Sequence, residues 1–440
     1  VPVQVRPRVP LLKARMKSAF IFQITNFVST FLVLFAILIF LTPSEYSIWV
    51  AFTVFGSLGL QLEAVINQST LRSISLLHFQ NKTENLKEIA SISKSGLSII
   101  AYKVIPISML SGLLYFYFLY KDTNFYISYI LLAWLVYMAT YIINFTFSIN
   151  GMILQARNHI NSFNYINSLS RIVQLILSVS FLYLGFNMLG LSLSFALSVL
   201  IGVVLTIFRL KKLDLYQSFN NDHKKNSEQK KIKKYFNFLT KNYFFFIFFT
   251  FLIIKGIYLI ISPFLDENTS SAYSLSLQAG ILISGFSLIA SNQVFIPKIS
   301  SAIVSKNYKN VRKILWTCFI FQNLSYFLGA FMLFVPAQLL LTYFQTEIAL
   351  LDIKNFILLN TSLLLEVNVI FMTGYLMTRS KMQFVKQYSI TALIIFIMSL
   401  LIFFLLNNLT ITLISIIISQ LVFLLPVVSK SFFIDIKAGL

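Results

Sequence analysis

The sequence has few of the residues that build disulfides, metal sites or catalytic centres. Its single cysteine, Cys318, excludes an internal disulfide framework. The three histidines, His78, His159 and His223, fall in or beside expected loops, and no Cys/His cluster has metal-ligand spacing. The sequence also lacks a nucleophile beside a base, a carboxylate pair at fixed spacing and a glycine-rich phosphate loop. We therefore expect a protein that is not an enzyme and that needs neither a cofactor nor a metal.

Charged residues are also scarce, at 11% of the chain, whereas a soluble protein carries about 25%. Hydrophobic residues make up 58%, which predicts an all-α polytopic membrane protein. The formal net charge of +21 is also typical of nucleic-acid-binding proteins. Part of this excess reflects a composition rich in Phe, Ile, Asn, Lys and Tyr, and the positions of the charges are more informative than their sum. We therefore expect membrane lipids, and no nucleic acid, as partners.

Apolar runs predict about twelve transmembrane helices, because roughly 20 apolar residues span the hydrocarbon core. The second, fourth, eighth and tenth runs exceed the bilayer thickness, so they are expected to tilt or to project beyond it. The expected limits are 17–41, 46–77, 94–120, 124–155, 162–185, 187–210, 237–262, 270–304, 311–335, 348–378, 384–406 and 410–430.

The distribution of basic residues predicts the orientation of these helices. With a cytoplasmic N-terminus, the expected outer loops carry only Lys121 and Lys354. Apart from the intramembrane candidates Lys103 and Lys255, the other basic residues then fall on the cytoplasmic side or at helix ends that face it. Both termini are therefore expected in the cytoplasm.

A lysine-rich stretch divides the chain into two halves. We expect an N-lobe of six helices at 16–210, a flexible cytoplasmic linker at 211–236 and a C-lobe of six helices at 237–440. Residues 1–15 differ in composition and are expected to be an N-terminal extension or a cloning scar.

Short matches between the halves favour a duplicated transporter core. Part of 72–89 recurs within 297–314, and the pattern of 151–157 recurs at 374–379. The prediction is two six-helix lobes around a central cavity.

The clearest local signal lies in residues 45–94. Tyr46 and Trp49 open a long apolar run and are expected at the headgroup layer. Glu63 lies near the middle of this run, where an ionised carboxylate is costly. Gly56, Gly59, Glu63 and Asn67 are spaced three and four apart and share one helical face. That face is expected to meet protein or water and not lipid.

Four ionisable residues lie well within the expected spans: Glu63, Lys103, Lys255 and Glu366. A charge at mid-bilayer costs roughly 2.5 to 3.5 kcal/mol, so such residues are typical of functional sites. Interhelical ion pairs, a protonated glutamate and, for Lys103, snorkelling to the inner surface are the structural alternatives.

Polar stripes accompany these charges in both halves. They indicate either a water-filled cavity or polar contacts that join helices. The stripes contain Gln23, Asn26 and Thr30 in the first span, Tyr137, Tyr141, Asn144, Ser148, Gly151 and Gln155 in the fourth, Gly280, Ser284, Ser287 and Ser291 in the eighth, and Ser362, Glu366 and Thr373 in the tenth.

The twelve spans, the duplication and two stretches, EYSIWVAF…GLQLEAVINQSTLR and FIPKISSAIVSKNYKNVRKI, resemble the multidrug/oligosaccharidyl-lipid/polysaccharide exporter superfamily. Within it the chain most resembles the Wzx-type flippases of O-antigen and capsule assembly, over essentially its whole length from Met16. The resemblance implies a V-shaped pair of lobes in the bacterial inner membrane. It also implies transfer of an oligosaccharide on undecaprenyl diphosphate from the inner to the outer leaflet. A polymerase and a chain-length regulator of the same pathway are further candidate partners.

In related lipid II flippases, basic residues on the first, second and seventh spans meet the diphosphate. Lys255 is the seventh-span counterpart that this resemblance implies. The first span offers Gln23 and Asn26 instead, and the second offers Arg72 at its inner end.

Our hypothesis is that Lys255 and Arg72, with Lys103, attract the diphosphate. The polar stripes, including Tyr141 and Asn144, take the sugars. Glu63 and Glu366 pair with lysine in the empty cavity, or exchange H+ or Na+.

Three other classes of protein compete with this interpretation. A multidrug exporter of the same superfamily usually carries cationic cargo, which the cavity lysines disfavour. A major-facilitator transporter usually has a glycine-rich motif between its second and third spans, which HFQNKTENLKEIA does not match. An O-antigen polymerase or ligase usually has a large external loop, whereas the outer loops here are short.

Overall fold

The computed structural model is built of long α-helices joined by short connections. It describes residues 9–79, 84–120, 127–156, 159–213, 227–290, 299, 308–344, 346–378 and 383–438. Within these ranges no strand is present, and contiguous helical segments form twelve rods. The prediction of an all-α protein with about twelve helices is confirmed.

Six rods belong to the first half of the chain. They are α1 (Val9–Phe40), α2 (Pro43–Phe79), α3 (Glu84–Ile99, Ile100–Val104 and Ile105–Tyr120), α4 (Ile127–Ala156), α5 (Ile160–Tyr183) and α6 (Asn187–Lys212). The rod α1 begins at Val9, within the stretch for which the sequence indicated no fold.

Six more rods follow. They are α7 (Ser227–Phe251, Leu252–Gly256 and Ile257–Ile261), α8 (Glu267–Ala290), α9 (Tyr308–Tyr343), α10 (Ile353–Thr378), α11 (Phe384–Leu406) and α12 (Leu409–Ser419, Gln420–Leu424 and Leu425–Ala438). The middle segments of α3, α7 and α12 are π-helical turns.

In the part of the chain that the structure describes, nine helices are long and apolar enough to cross a membrane. The protein is therefore a multi-pass membrane protein. The rods α1, α2 and α8 are outside this set, although 24–40 of α1 form a shorter apolar stretch. The bacterial inner membrane and the cytoplasmic termini stay predictions.

The chain divides into two compact units. Unit 1 comprises Val1–Leu41 and Phe55–Tyr243, and unit 2 comprises Thr42–Val54 and Phe244–Leu440. The first turns of α2 therefore belong to unit 2, although α2 continues without a break into unit 1. The lobe limits at 210 and 237 stay a prediction.

Polar side chains join the helices inside unit 1. Asn164 of α5 donates to Ser18 Oγ of α1 over 3.2 Å, and Ser178 Oγ of α5 lies 2.7 Å from Ser194 Oγ of α6. Such bonds satisfy groups that would be costly to expose to lipid. Polar residues outside the predicted stripes thus form contacts between helices.

The first turns of α2 are packed into unit 2. Tyr46 and Trp49 are buried, and Tyr46 Oη donates to Gln278 Oε1 of α8 over 3.3 Å. Tyr258 Oη of α7 lies 3.5 Å from the Ser47 carbonyl oxygen and 2.7 Å from Ser274 Oγ. Neighbouring helices of unit 2 cover both rings, and their predicted position at the headgroup layer stays a prediction.

Rod α8 begins after an acidic N-cap. The backbone N–H of Thr269 donates to Asp266 Oδ2 over 2.9 Å. Hydrogen bonding to Thr269 holds the pKa of the Asp266 carboxyl below its usual value. The carboxylate thus satisfies a donor of the first helical turn.

Candidate functional site

Two glycines bring α2 close to α4 in unit 1. A Cβ added at Gly56 would lie 2.6 Å from Tyr141 Oη, and one added at Gly59 would lie 3.1 Å from Phe145 Cζ. Both distances are too short for an ordinary side chain to be accommodated without movement. The expectation that this face of α2 meets protein is confirmed for these two glycines.

Glu63, further along the same face of α2, takes part in a polar cluster. Asn144 of α4 donates from Nδ2 to Glu63 Oε2 over 3.2 Å. Tyr141, one turn before Asn144, also interacts electrostatically with Glu63. The hydroxyls of Tyr137 and Tyr141 lie 3.0 Å apart, and both rings are buried. Three residues predicted from sequence, Glu63, Tyr141 and Asn144, are therefore brought together.

Arg171 of α5 is not among the residues that the sequence predicts for the site. It interacts electrostatically with Tyr137 and Tyr141, and its Nη1 donates to Gln174 Oε1 over 2.9 Å. Its side chain is exposed in the described structure. The signal was present in the sequence, because Arg171 interrupts the predicted span 162–185 near its middle.

Among the described contacts, none joins the remaining predicted residues of unit 1 to this cluster. Asn26 is partly exposed on α1, and its backbone carbonyl accepts a hydrogen bond from Thr30. Lys103 is exposed in the π-helical turn of α3. The side chains of Gln23 and Arg72 lie outside the part of the structure that is described.

Unit 2 holds the second pair of predicted residues. Lys255 occupies the π-helical turn of α7, Glu366 lies on α10, and the two interact electrostatically. Both side chains are partly exposed. A π-helical turn is rare and is often found at functional positions. The pair joins residues that are far apart in sequence, and it lies within an apolar span, since α7 crosses at 240–264.

Two buried tyrosines of unit 2 also act on Glu366. Tyr326 of α9 and Tyr388 of α11 both interact electrostatically with Glu366. Tyr388 Oη lies 2.7 Å from Thr250 Oγ1 of α7, and Tyr326 Oη donates to the Asn360 carbonyl oxygen over 3.0 Å. The tyrosine hydroxyls are thereby held by α7 and α10.

Over the described ranges, no group of three or more His, Cys, Asp or Glu side chains is placed to hold a metal ion. The carboxylates Glu63 and Glu366 belong to different units. Each could take up a proton or pair with a cation by itself.

Comparison with known proteins gives a fold and no family. No protein-family model matches the chain, and no curated protein matches it. A multidrug-resistance MATE transporter of the MOP superfamily, solved in its inward-facing conformation, superposes with a TM-score of 0.69 at 13% identity, covering 95% of this chain and 94% of that one. An outward-facing structure of such a transporter gives 0.65 at 13% identity, covering 98% and 96%.

A MOP superfamily transporter from Pyrococcus furiosus is also similar, with a TM-score of 0.61 at 14% identity, covering 98% of this chain and 94% of that one. Its binding pocket has reverse polarity, which suggests a different function for that protein. The chain therefore has the fold of MATE transporters of the MOP superfamily. At identities this low, the comparison establishes the fold alone. The cargo must therefore be inferred from the side chains of the site.

Proposed function

We propose that this protein is a flippase that moves an oligosaccharide linked to undecaprenyl diphosphate from the inner to the outer leaflet of the bacterial inner membrane. It would do so by alternating access. The observation that carries the proposal is a partly exposed lysine, Lys255, within an apolar span of a transporter fold.

A lysine at this depth needs a compensating partner. A charge at mid-bilayer costs roughly 2.5 to 3.5 kcal/mol, so Lys255 is retained where an anion offsets its charge. Glu366 supplies that anion in the empty protein. A diphosphate carries more negative charge than one carboxylate, so it can replace Glu366 as the partner of Lys255. Lys255 would thus bind the diphosphate of the cargo, and Glu366 would offset its positive charge after the cargo leaves.

The sugars need hydroxyl recognition, which unit 1 can supply. Tyr141 and Asn144 present a phenol and an amide beside Glu63. Aromatic rings and amide groups give apolar contact and hydrogen bonds to a polyol. Four further residues are proposed as cargo contacts, although no described contact joins them to the cluster: Asn26, Gln23, Lys103 and Arg72. A polymerase and a chain-length regulator stay proposed partners.

Coupling to H+ or Na+ is a separate part of the proposal. Glu63 and Glu366 are the carboxylates that could exchange an ion, and coupling requires an affinity that differs between states. Neutralising both as Glu63→Gln and Glu366→Gln is expected to remove the ion dependence of transport. Unchanged transport and ion dependence in that double variant would refute the coupling and leave the flippase assignment intact.

The deciding experiment uses a strain that lacks its own O-antigen flippase and makes the matching lipid-linked unit. Wild type, Lys255→Met and the control Lys241→Met are expressed at equal membrane levels, and surface glycan is stained. Lys241 is an exposed lysine of the same rod, so Lys241→Met removes one positive charge from the rod without changing the proposed site. Rescue by wild type and by Lys241→Met, with failure of Lys255→Met, is the expected result. Equal rescue by all three would reduce Lys255 to a structural role.

A multidrug exporter is the second candidate, because multidrug-resistance MATE transporters are among the most similar solved structures. It predicts that expression lowers the susceptibility of cells to cationic drugs. Drug resistance without glycan rescue would favour this candidate. The binding pocket of reverse polarity in the Pyrococcus furiosus protein suggests a different function for that protein, so the fold by itself does not decide between the two candidates. Synthesis of longer glycan chains by the purified protein would instead indicate a polymerase or ligase.

A further inference from the structure

The described helices α2 and α4 cover one side of α3. Ser93 Oγ of α3 lies 2.6 Å from Thr70 Oγ1 of α2, and Trp134 Nε1 of α4 donates to the Met109 carbonyl oxygen over 2.9 Å. Apolar side chains of α3 are buried on this covered side. They are Leu97, Ile100, Ala101, Ile105 and Phe116.

The other side of α3 exposes large apolar side chains. They recur three or four residues apart, as on one face of a helix, and each is more than half exposed. Because α3 crosses at 92–118, such a stripe is expected to face lipid. The residues of this exposed stripe are Ile99, Ile107, Leu110, Leu114 and Phe118.

Lys103 lies within the exposed stripe, four residues after Ile99 and four before Ile107. It is exposed, belongs to the π-helical turn and lies near the middle of the apolar span. A charge at this depth is costly unless an anion or water compensates it. Within the described ranges, the structure gives Lys103 no hydrogen bond or ion pair, and α4 carries no acidic residue. A lipid phosphate is the anion that a membrane supplies at this face.

Tyr102 places a second donor beside Lys103. Its side chain is 61% exposed, and its Oη accepts from Thr146 Oγ1 of α4 over 3.5 Å. A phenol that accepts in this way keeps its own O–H for another acceptor, such as a phosphate oxygen. Lysine and tyrosine both combine an apolar stem or ring with a polar tip, which suits a position between lipid chains and headgroups. Two adjacent donors thus lie where α3 meets α4.

We propose that Lys103 and Tyr102 bind the phosphate of an anionic phospholipid on the membrane-facing side of α3, beside α4. The acyl chains of this lipid lie along Ile107, Leu110 and Leu114. Charge complementarity selects an anionic lipid, because a zwitterionic lipid carries its own cation and gains less from Lys103. Lys103 extends its ammonium toward the headgroup layer to meet the phosphate.

This inference does not rest on the proposed function, since a phospholipid is bound whatever the cargo is. Lys103 has two proposed roles, a cargo contact and a phospholipid contact. The exposed apolar stripe around Lys103 favours the phospholipid contact.

The test is native mass spectrometry of the full chain, purified in detergent and titrated with lipid. The probes are phosphatidylglycerol and phosphatidylcholine with the same acyl chains, and the apparent Kd of the first bound lipid is measured. Wild type is expected to bind phosphatidylglycerol more tightly. Lys103→Met is expected to weaken that binding about fivefold, as for one basic residue near an anionic surface, and to leave phosphatidylcholine unchanged. Lys103→Arg is expected to retain the binding, and Tyr102→Phe to lose a smaller part of it.

The matched control is Lys94→Met. Lys94 is an exposed lysine of the same rod, near the beginning of the span, where water reaches it. Because a hydrated surface charge contributes little, this variant is expected to bind phosphatidylglycerol within about 1.5-fold of wild type. If Lys103→Met does not fold, Lys103→Gln removes the same charge and is expected to show the same loss.

Three results would overturn the inference. They are equal binding of the two phospholipids by wild type, wild-type binding of phosphatidylglycerol by Lys103→Met, and an equal loss in Lys94→Met. Undecaprenyl diphosphate serves as a third probe. Lys103-dependent binding of this probe that is tighter than that of phosphatidylglycerol would overturn the phospholipid assignment and support the cargo contact instead.

Discussion

The Lys255–Glu366 pair makes a quantitative prediction about stability. Lys255→Met or Glu366→Gln alone leaves one charge in an apolar span without its partner, whereas the double variant removes both. Breaking a fully buried pair costs about 3–5 kcal/mol. Both side chains here are partly exposed, so water screens the remaining charge. We therefore expect a coupling free energy of about 1–3 kcal/mol between the two positions, within the range for residues that belong to one interacting network.

The measurement is thermal unfolding of the four proteins in one detergent. About 1 kcal/mol shifts the midpoint by roughly 2–4 °C in domains of 150–250 residues. Each single variant is expected to unfold several degrees below wild type, and the double variant to recover part of that loss. Lys241→Met, on the same rod and exposed, is expected to change the midpoint little.

Additive losses in the double variant would refute this reasoning. They would mean that each charge has its own compensation and that the two side chains do not stabilise one another. The proposed exchange of Glu366 for a diphosphate on Lys255 would then lose its basis, whatever the outcome of glycan staining.

Two further predictions concern packing and capping. Gly56→Ala is expected to destabilise the protein by about 1–3 kcal/mol, because its Cβ would overlap the Tyr141 ring. Gly285→Ala, where no atom lies within 4 Å, is the matched control and is expected to keep the wild-type midpoint or raise it, and equal losses would contradict the close contact. Asp266→Ala is expected to cost roughly 0.5–2 kcal/mol as a lost cap. Because the folded-state pKa of Asp266 is depressed, its contribution is present above the unfolded pKa and falls as pH drops through the folded pKa. Asp266→Asn should keep the cap and remove this pH dependence of stability in unfolding scans. An unchanged pH profile would refute the assignment of the pH dependence to Asp266.

The sequence alone was sufficient for the all-helical class and for the number of helices. Both depend on local apolar runs and on the need of backbone groups for internal hydrogen bonds in lipid. Helical periodicity also predicted that the face of α2 with Gly56, Gly59 and Glu63 meets protein. It placed Tyr141 and Asn144 on one face of α4, where the structure brings both to Glu63.

Tertiary structure decided which polar residues meet across helices. Local hydropathy predicts Tyr46 and Trp49 at the headgroup layer, and only the structure shows that packing within unit 2 buries both rings. Local hydropathy also does not show what Arg171 meets, because a single arginine in an apolar span has the same local pattern in every packing environment.

Lys255 and Glu366 show the physical reason most directly. Sequence identified each as a costly charge at depth, since the cost depends on the local apolar run. Their pairing depends on the packing of α7 beside the C-terminal helices, and on a π-helical turn that no local pattern predicted. Periodicity fixes the face of a helix on which a side chain lies, and only the packed structure fixes the partner that it meets there.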